Sequence, residues 1–421
     1  MSALKTIQPM SAGEPVKALW ISTTAFTLCF AVWTIFAIIG VRIKQELGLN
    51  EAEFGLLVGT PVLTGSIVRI VLGIWTNRYG GRLVYTLTML AAALATFLLS
   101  YATTYTEMLI AGLGVGLAGG SFAVGVAYVS PFFPPEKQGT ALGIFGAGNV
   151  GAAVTKFAAP FVLIAWGWQA VAEIWALVLA VMAVVFWFTT SDDPAFRARR
   201  DRGVAAKSLL QEFAPLKNVQ VWRFSLYYFF AFGGFVALSL WLPRYLVGVY
   251  GFNLEVAGMV AAAYSIPGSV FRAFGGVLSD KKGARSVMYT MLSVSAVATL
   301  ILSVPAATAT GPAFGITPAV FIVVIFVLGF FMSLGKAAVY KHIPAYYPDS
   351  IGAVGGIVGM MGGLGGFILP IAFGLLKDIT GLWSSCFLLL FAIVAISLLW
   401  MHLSVRKLER RAPSAPVVAA T

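Results

Sequence analysis

Residues 65–82 read GSIVRIVLGIWTNRYGGR, and residues 268–285 read GSVFRAFGGVLSDKKGAR. Aligned without a gap, Gly65, Ser66, Arg69, Gly73, Gly80 and Arg82 fall on Gly268, Ser269, Arg272, Gly276, Gly283 and Arg285, with Asn77-Arg78 opposite Asp280-Lys281. Gly55 and Gly258 extend the match upstream, and a second gapless alignment sets Gly139, Gly143 and Gly146 on Gly352, Gly356 and Gly359. Matches this dense mark an internal duplication, so the chain is two copies of one unit.

The unit is a membrane unit. Of 421 residues, 59% are hydrophobic and 10% charged, whereas soluble proteins carry about 25% charged residues. A bilayer core of roughly 30 Å needs about 20 consecutive apolar residues. Twelve such runs lie near 19–41, 54–76, 83–102, 107–130, 139–164, 168–190, 221–249, 256–278, 286–305, 317–340, 350–376 and 381–404. They lack the alternation of a barrel strand, and backbone groups in hydrocarbon must be satisfied within a helix. The expectation is an all-α membrane protein with twelve transmembrane helices in two pseudo-symmetric six-helix bundles, 19–190 and 220–404. A polar segment 1–18, a linker 191–219 and a tail 405–421 complete the chain.

The net charge of +12 follows topology. Basic residues collect in alternate connections: Arg78 and Arg82; Lys137; Arg197, Arg199, Arg200, Arg202, Lys207 and Lys217; Lys281, Lys282 and Arg285; and the tail residues Arg406, Lys407, Arg410 and Arg411. Around the first connection, the bases are matched by Glu46, Glu51 and Glu53. This is the positive-inside pattern, which puts both termini in the cytoplasm and argues against nucleic acid as a partner. Cys29 and Cys386 both fall inside predicted helices and imply no disulfide framework. The first apolar run is too long for a signal peptide and is expected to be retained.

Ionisable side chains at helix centres cost roughly 2.5 to 3.5 kcal/mol each and are functional suspects. Here the deep ones are basic: Arg69, Arg272, Lys156, Lys336 and Lys341. No carboxylate occupies a predicted helix centre; Glu107 and Glu173 sit near helix starts. Cations without a counter-carboxylate suit an anion, and paired guanidinium N–H donors suit a planar oxyanion. Snorkelling is the alternative, since each arginine lies about 12 Å of helix before its loop pair. Asn149, in the glycine-rich run GIFGAGNVG (143–151), needs a partner in an apolar setting. No cluster for a metal, cofactor or catalytic triad accompanies His342 and His402, so an enzyme is not expected.

The two connections Asn77-Arg78-x-Gly80-Gly81-Arg82 and Asp280-Lys281-x-Gly283-Ala284-Arg285 resemble the gating-loop signature of the major facilitator superfamily, with Asn77 where that family carries Asp. The glycine-rich segments around Gly146 and Gly363, above all Gly148-Asn149-x-Gly151, resemble the paired signatures of the nitrate/nitrite porter family. The string Gly59-Thr-Pro-Val-Leu-Thr-Gly65-Ser-x2-Arg69 and Phe132-Phe133-Pro134 are similar too. That resemblance implies nitrate or nitrite held by Arg69 and Arg272 with Asn149, between Phe30, Phe122, Tyr228, Phe232 and Tyr340. Lys156 and Lys341, where many relatives carry Gln, resemble the nitrate/proton symporter branch and imply a coupling role. The expectation is nitrate import across the bacterial inner membrane by alternating access, with protons as co-substrate. Nitrate/nitrite exchange and carriage of another small anion are the alternatives. The protein is expected to work as a monomer in the lipid bilayer.

Overall fold

A computed structural model describes residues 13–203, 211, 213–306 and 315–410; Lys207, Arg411 and the remaining parts of the terminal and linker segments lie outside it. Apart from an isolated bridge between Ala306 and Ile316, the described residues form helices and their connections. The first half comprises α1 (Glu14–Trp33), α2 (Phe36–Leu47), α3 (Glu51–Tyr79), α4 (Gly81–Leu99), α5 (Tyr105–Val115), α6 (Leu117–Val129), α7 (Gln138–Gly146) and α8 (Gly151–Thr189). A short α9 (Pro194–Asp201) lies in the connection. The second half comprises α10 (Val219–Tyr228), α11 (Phe235–Tyr250), α12 (Leu254–Val270), α13 (Arg272–Lys282), α14 (Ala284–Leu302), α15 (Pro318–Tyr346), α16 (Ile351–Thr380) and α17 (Ser385–Glu409).

Ten stretches of the described residues are long and apolar enough to cross a membrane. One of them, Pro135–Thr189, runs for 55 residues and breaks at Gly167, whose φ of 85° lies outside the helical range. The apolar Val256–Val270 is shorter and continues, past Phe271, into α13. Taking the long run as two crossings and α12 with α13 as one accounts for the twelve expected from hydropathy. Large apolar side chains such as Phe157, Phe161, Ile164, Phe188 and Ile379 are exposed on the outside, as a lipid-facing surface requires.

Local chemistry sets the helix ends. Asn50 and Glu53 form a reciprocal capping box that starts α3, and Thr104 with Glu107 does the same for α5. Glu107 is thereby occupied as a cap. At the repeated turns, Gly80 (φ 89°) and Gly283 (φ 80°) adopt the same left-handed backbone, which favours glycine. Each turn reverses the chain between α3 and α4, or between α13 and α14.

The halves meet through repeat-related glycines. Gly73 of α3 faces Gly352 of α16, and Gly276 of α13 faces Gly139 of α7, each close enough that a Cβ would meet the opposing carbonyl oxygen. Small residues let the backbones touch, as helices packed in lipid do. This seam lies at the end of the bundle that carries α9. There Phe196 covers Gly80, Arg199 donates to the Asn77 carbonyl at 2.7 Å, and Arg197 pairs with Glu14 at 2.7 Å. Asp193 caps α9 by accepting from Phe196 N–H at 2.8 Å. Burial pushes its carboxyl up to about 6.

Candidate anion site

Arg69 sits mid-way along α3 and Arg272 opens α13, and both are buried, at 1% and 0% exposure. Their electrostatic fields act on one another. The Phe122 ring, from α6, lies between them, with its centroid 5.7 Å from the Arg69 guanidinium carbon and 4.8 Å from that of Arg272. Trp33 and Phe232 complete the wall around Arg69 at 5.6 and 5.4 Å; Tyr228 and Tyr340 complete that around Arg272 at 5.9 and 5.8 Å. Tyr228 and Phe232 are stacked, 5.2 Å apart. Ring faces toward guanidinium groups are attractive and exclude water.

The arginines are supported by glycines in a pseudo-symmetric way. Gly146 of α7 lies under the Arg272 guanidinium, and its repeat mate Gly359 of α16 lies under the Arg69 side chain. A Cβ at Gly146 would occupy space the Arg272 guanidinium uses, and one at Gly359 would strike the Tyr340 hydroxyl and crowd Arg69 Cδ. Gly363, one turn farther along α16, instead packs on the Ser66 hydroxyl.

Hydrogen bonding breaks the symmetry. Arg69 donates from Nε to the Gly119 carbonyl at 3.0 Å and from Nη1 to the Gly359 carbonyl, in the other half, at 2.6 Å. Arg272 has no acceptor for Nε, Nη1 or Nη2. Both amide atoms of Asn149 and the Tyr228 hydroxyl are likewise buried and unbonded. Asn149 stands in the 3-10 turn Ala147–Val150, directly after Gly146. The Tyr228 hydroxyl is oriented toward Arg272 without reaching hydrogen-bond geometry, whereas Tyr340 donates to the Gly355 carbonyl at 2.9 Å. Leaving a buried charge unpaired costs several kcal/mol, and an acceptor bearing negative charge would satisfy Arg272. A flat anion with several oxygens would take paired bonds from Arg272 and a single one from Tyr228.

Other candidates lie elsewhere. Phe30 meets Phe26 and Trp33 edge to face, at 5.7 and 5.1 Å, so it backs the wall and Trp33 meets Arg69. Lys341, read from sequence as deep, lies by the repeated turn after α13: it pairs with Asp280 at 2.6 Å and donates to the Pro135 carbonyl. Lys156 lies on an exposed flank of α8, beside the exposed Phe157 and within the apolar stretch Pro135–Thr189. Lys336 is the buried lysine, at 0% exposure.

At the end of α13, Asp280 accepts from Gly139 N–H at 2.9 Å and from Thr140 N–H at 2.6 Å, capping the start of α7. Its repeat mate Asn77 lies against Gly352 at the start of α16. Arg82 donates from Nε to the Trp187 carbonyl at 3.1 Å and stacks over the Trp187 ring. Arg78 stands over the Tyr79 ring, and Arg78, Lys281 and Arg285 are exposed. Sequence reasoning passed over Trp33, Phe26, Phe145 and Gly359. Only Gly359 carried a readable signal, as the repeat mate of Gly146.

The profile described as Major Facilitator Superfamily matches residues 21–319 and 254–420. Among curated proteins, the "Probable nitrate/nitrite antiporter NarK1" of Thermus thermophilus is 44% identical, covering 94% of this chain and 93% of that protein. The "Nitrite extrusion protein" of Bacillus subtilis is 31% identical, covering 89% of this chain and 91% of its own. Among solved structures, the human organic anion transporter MFSD10 (TETRAN) superposes with a TM-score of 0.72 at 14% identity, over 92% of this chain and 99% of that one. That likeness is one of fold.

Proposed function

This chain belongs to the Major Facilitator Superfamily and, within it, to the nitrate/nitrite porter family; from that premise we propose that it carries nitrate across the bacterial cytoplasmic membrane by alternating access. The observation that carries the reading is the buried Arg272 guanidinium, unbonded on all its nitrogens, with its carbon 5.9 Å from the ring of Tyr228, whose hydroxyl is also unbonded. Nitrate supplies what that group lacks: one negative charge spread over three coplanar oxygens. The names of the relatives supply the substrate class.

In this reading the segments 19–190 and 220–404 rock against each other about the site. Residues 1–18, 191–219 and 405–421 lie in the cytoplasm, and one chain in the bilayer suffices because both arginines come from it. The seam at Gly73–Gly352 and Gly139–Gly276, latched by Asp280, is the cytoplasmic gate in its closed form. Arg69, bonded across the halves to Gly359, exchanges that carbonyl for the anion as the gate opens.

Moving a monovalent anion inward against the membrane potential costs about 2.3 kcal/mol per 100 mV, so import needs a coupled ion. Proton symport is the favoured coupling. Exchange for nitrite is the second reading, favoured by the name of the Thermus relative and by the absence of an acidic side chain among the buried membrane residues described. Purified protein in proteoliposomes separates them. An inward proton gradient should drive accumulation of labelled nitrate from an initially nitrite-free lumen. Accumulation only from a nitrite-loaded lumen assigns exchange, and accumulation under neither condition removes nitrate as the cargo.

A further inference from the structure

Lys336 of α15 is fully buried and takes no part in the anion site described above. Its Nζ donates to the Gly268 carbonyl at 2.6 Å and stands 3.4 Å from the centroid of the Phe235 ring. Phe235 in turn packs directly on Gly268, where a Cβ would strike the ring. Glycine, carbonyl and ring face together form a fitted seat for one ammonium group. No ion pair among the described residues includes Lys336. An ammonium has three donors, and one of them is matched by a protein acceptor.

The corresponding place in the first half holds no charge. Gly65, the repeat mate of Gly268, is covered by the Trp33 indole, whose N–H goes to the Pro61 carbonyl at 2.7 Å. The duplicated fold therefore closes this position with a neutral aromatic, and the cation is an addition in the second half only. Gly268 precedes Arg272 by one helical turn, and Arg272 is the charged group that acts on Lys336. The ionisable groups next to its partners are phenols: Tyr264 on α12 packs on Phe235, and Tyr228 at the end of α10 and Tyr340 one turn along α15 lie beside Arg272. The buried faces of α7, α14 and α16 contribute no ionisable side chain, and neither does the Phe229–Gly234 turn.

We propose that Lys336 is the proton-binding group of the transport cycle, binding one proton when the anion occupies Arg272 and releasing it when the anion leaves. This rests on the reading of the protein as a nitrate carrier. With the anion bound, its charge offsets that of one of the two neighbouring cations. When the anion departs, two buried cations are left within one another's field at low dielectric, Lys336 on the carbonyl one turn before Arg272. The guanidinium keeps its proton, so the amine is the partner that gives one up to water at the open end. The neutral amine retains an N–H for the Gly268 carbonyl, so the seat survives the change. By reciprocity, a proton on Lys336 tightens anion binding by the same factor that the anion tightens proton binding.

Nitrate influx and lumenal pH, recorded together in proteoliposomes, test this with wild type, Lys336→Gln and Lys336→Arg. Wild type should take up about one proton per nitrate through a single such group. Both variants should move nitrate more slowly, with the proton-to-nitrate ratio falling by at least about fivefold, since neither side chain exchanges a proton in this range. A wild-type ratio in Lys336→Gln overturns the proposal. Wild-type nitrate flux that needs nitrite and moves no proton overturns it while leaving the nitrate reading intact; no nitrate binding or flux at all overturns both. Should the variants fail to assemble, nitrate titration calorimetry of wild type in two buffers of different ionisation heat counts the protons directly. Uptake on binding supports the assignment, and none anywhere between about pH 5 and pH 9 overturns it.

Discussion

Arg69 and Arg272 occupy matching places in the two repeats yet stand in different bonding states, so substitutions at them should fail differently. Arg272→Lys keeps the charge and loses the planar fork; nitrate affinity should fall by about 10- to 100-fold, read as a rightward shift in nitrate-dependent thermal stabilisation. Gly146→Ala places a methyl where the Arg272 guanidinium lies, so it should weaken nitrate by about tenfold with the fold intact. An unchanged affinity in that variant would show that Arg272 is free to move aside. The placement of the arginines was legible because the duplication displays each twice and no carboxylate accompanies them. The aromatic wall was less so. Trp33, Phe26 and Phe145 sit among 11 Trp and 32 Phe in the chain, and composition gives a ring no direction. Lys341 and Lys156 share apolar surroundings in sequence with Lys336, yet three-dimensional packing sends one to Asp280, one to the exterior and one to a sealed seat.

Between elements, the closed end depends on backbone contact and on one carboxylate. Asp280→Asn converts the second gate into a chemical copy of the first, where Asn77 stands. It removes the pair with Lys341 and the negative charge at the start of α7, where the helix dipole favours an anion. Amide hydrogens of α7 and of the end of α13 should then exchange several-fold faster, an effect of about 1 kcal/mol; unchanged exchange would mean that glycine packing alone closes the gate. The α9 strap has its own pH dependence. Asp193 in the folded chain holds its proton up to about 6, above its usual 3.8, so folding is favoured most below 3.8. That advantage is lost progressively as pH rises from 3.8 to about 6. Asp193→Asn keeps an acceptor for Phe196 N–H and should abolish the pH dependence of hydrogen exchange in α9. Persistent dependence would place its origin elsewhere. Hydropathy located the crossings well, including the break supplied by Gly167. It did not reveal the division of α12 from α13 at Phe271, because Pro267, Phe271 and Arg272 lie within one apolar run that a sliding window reads as continuous.

Across the molecule, duplication, glycine seam and charge distribution describe one arrangement: two bundles that touch through repeat-related glycines and present an arginine each to the Phe122 ring. The repeat made this architecture readable before any coordinates, since an offset between matching residues is a statement about symmetry. Symmetry does not predict its own violations. The unbonded state of Arg272, the bond of Arg69 across the halves and the buried Lys336 all arise from differences between the copies. The most direct test of the account is counterflow of labelled nitrate in proteoliposomes carrying wild type, Arg69→Ala or Arg272→Ala, with no proton gradient applied. The account predicts rapid counterflow for wild type and a loss of at least about 100-fold in each variant, the scale expected for removing a buried charged partner. Near wild-type counterflow in either variant would contradict the claim that both arginines hold the anion.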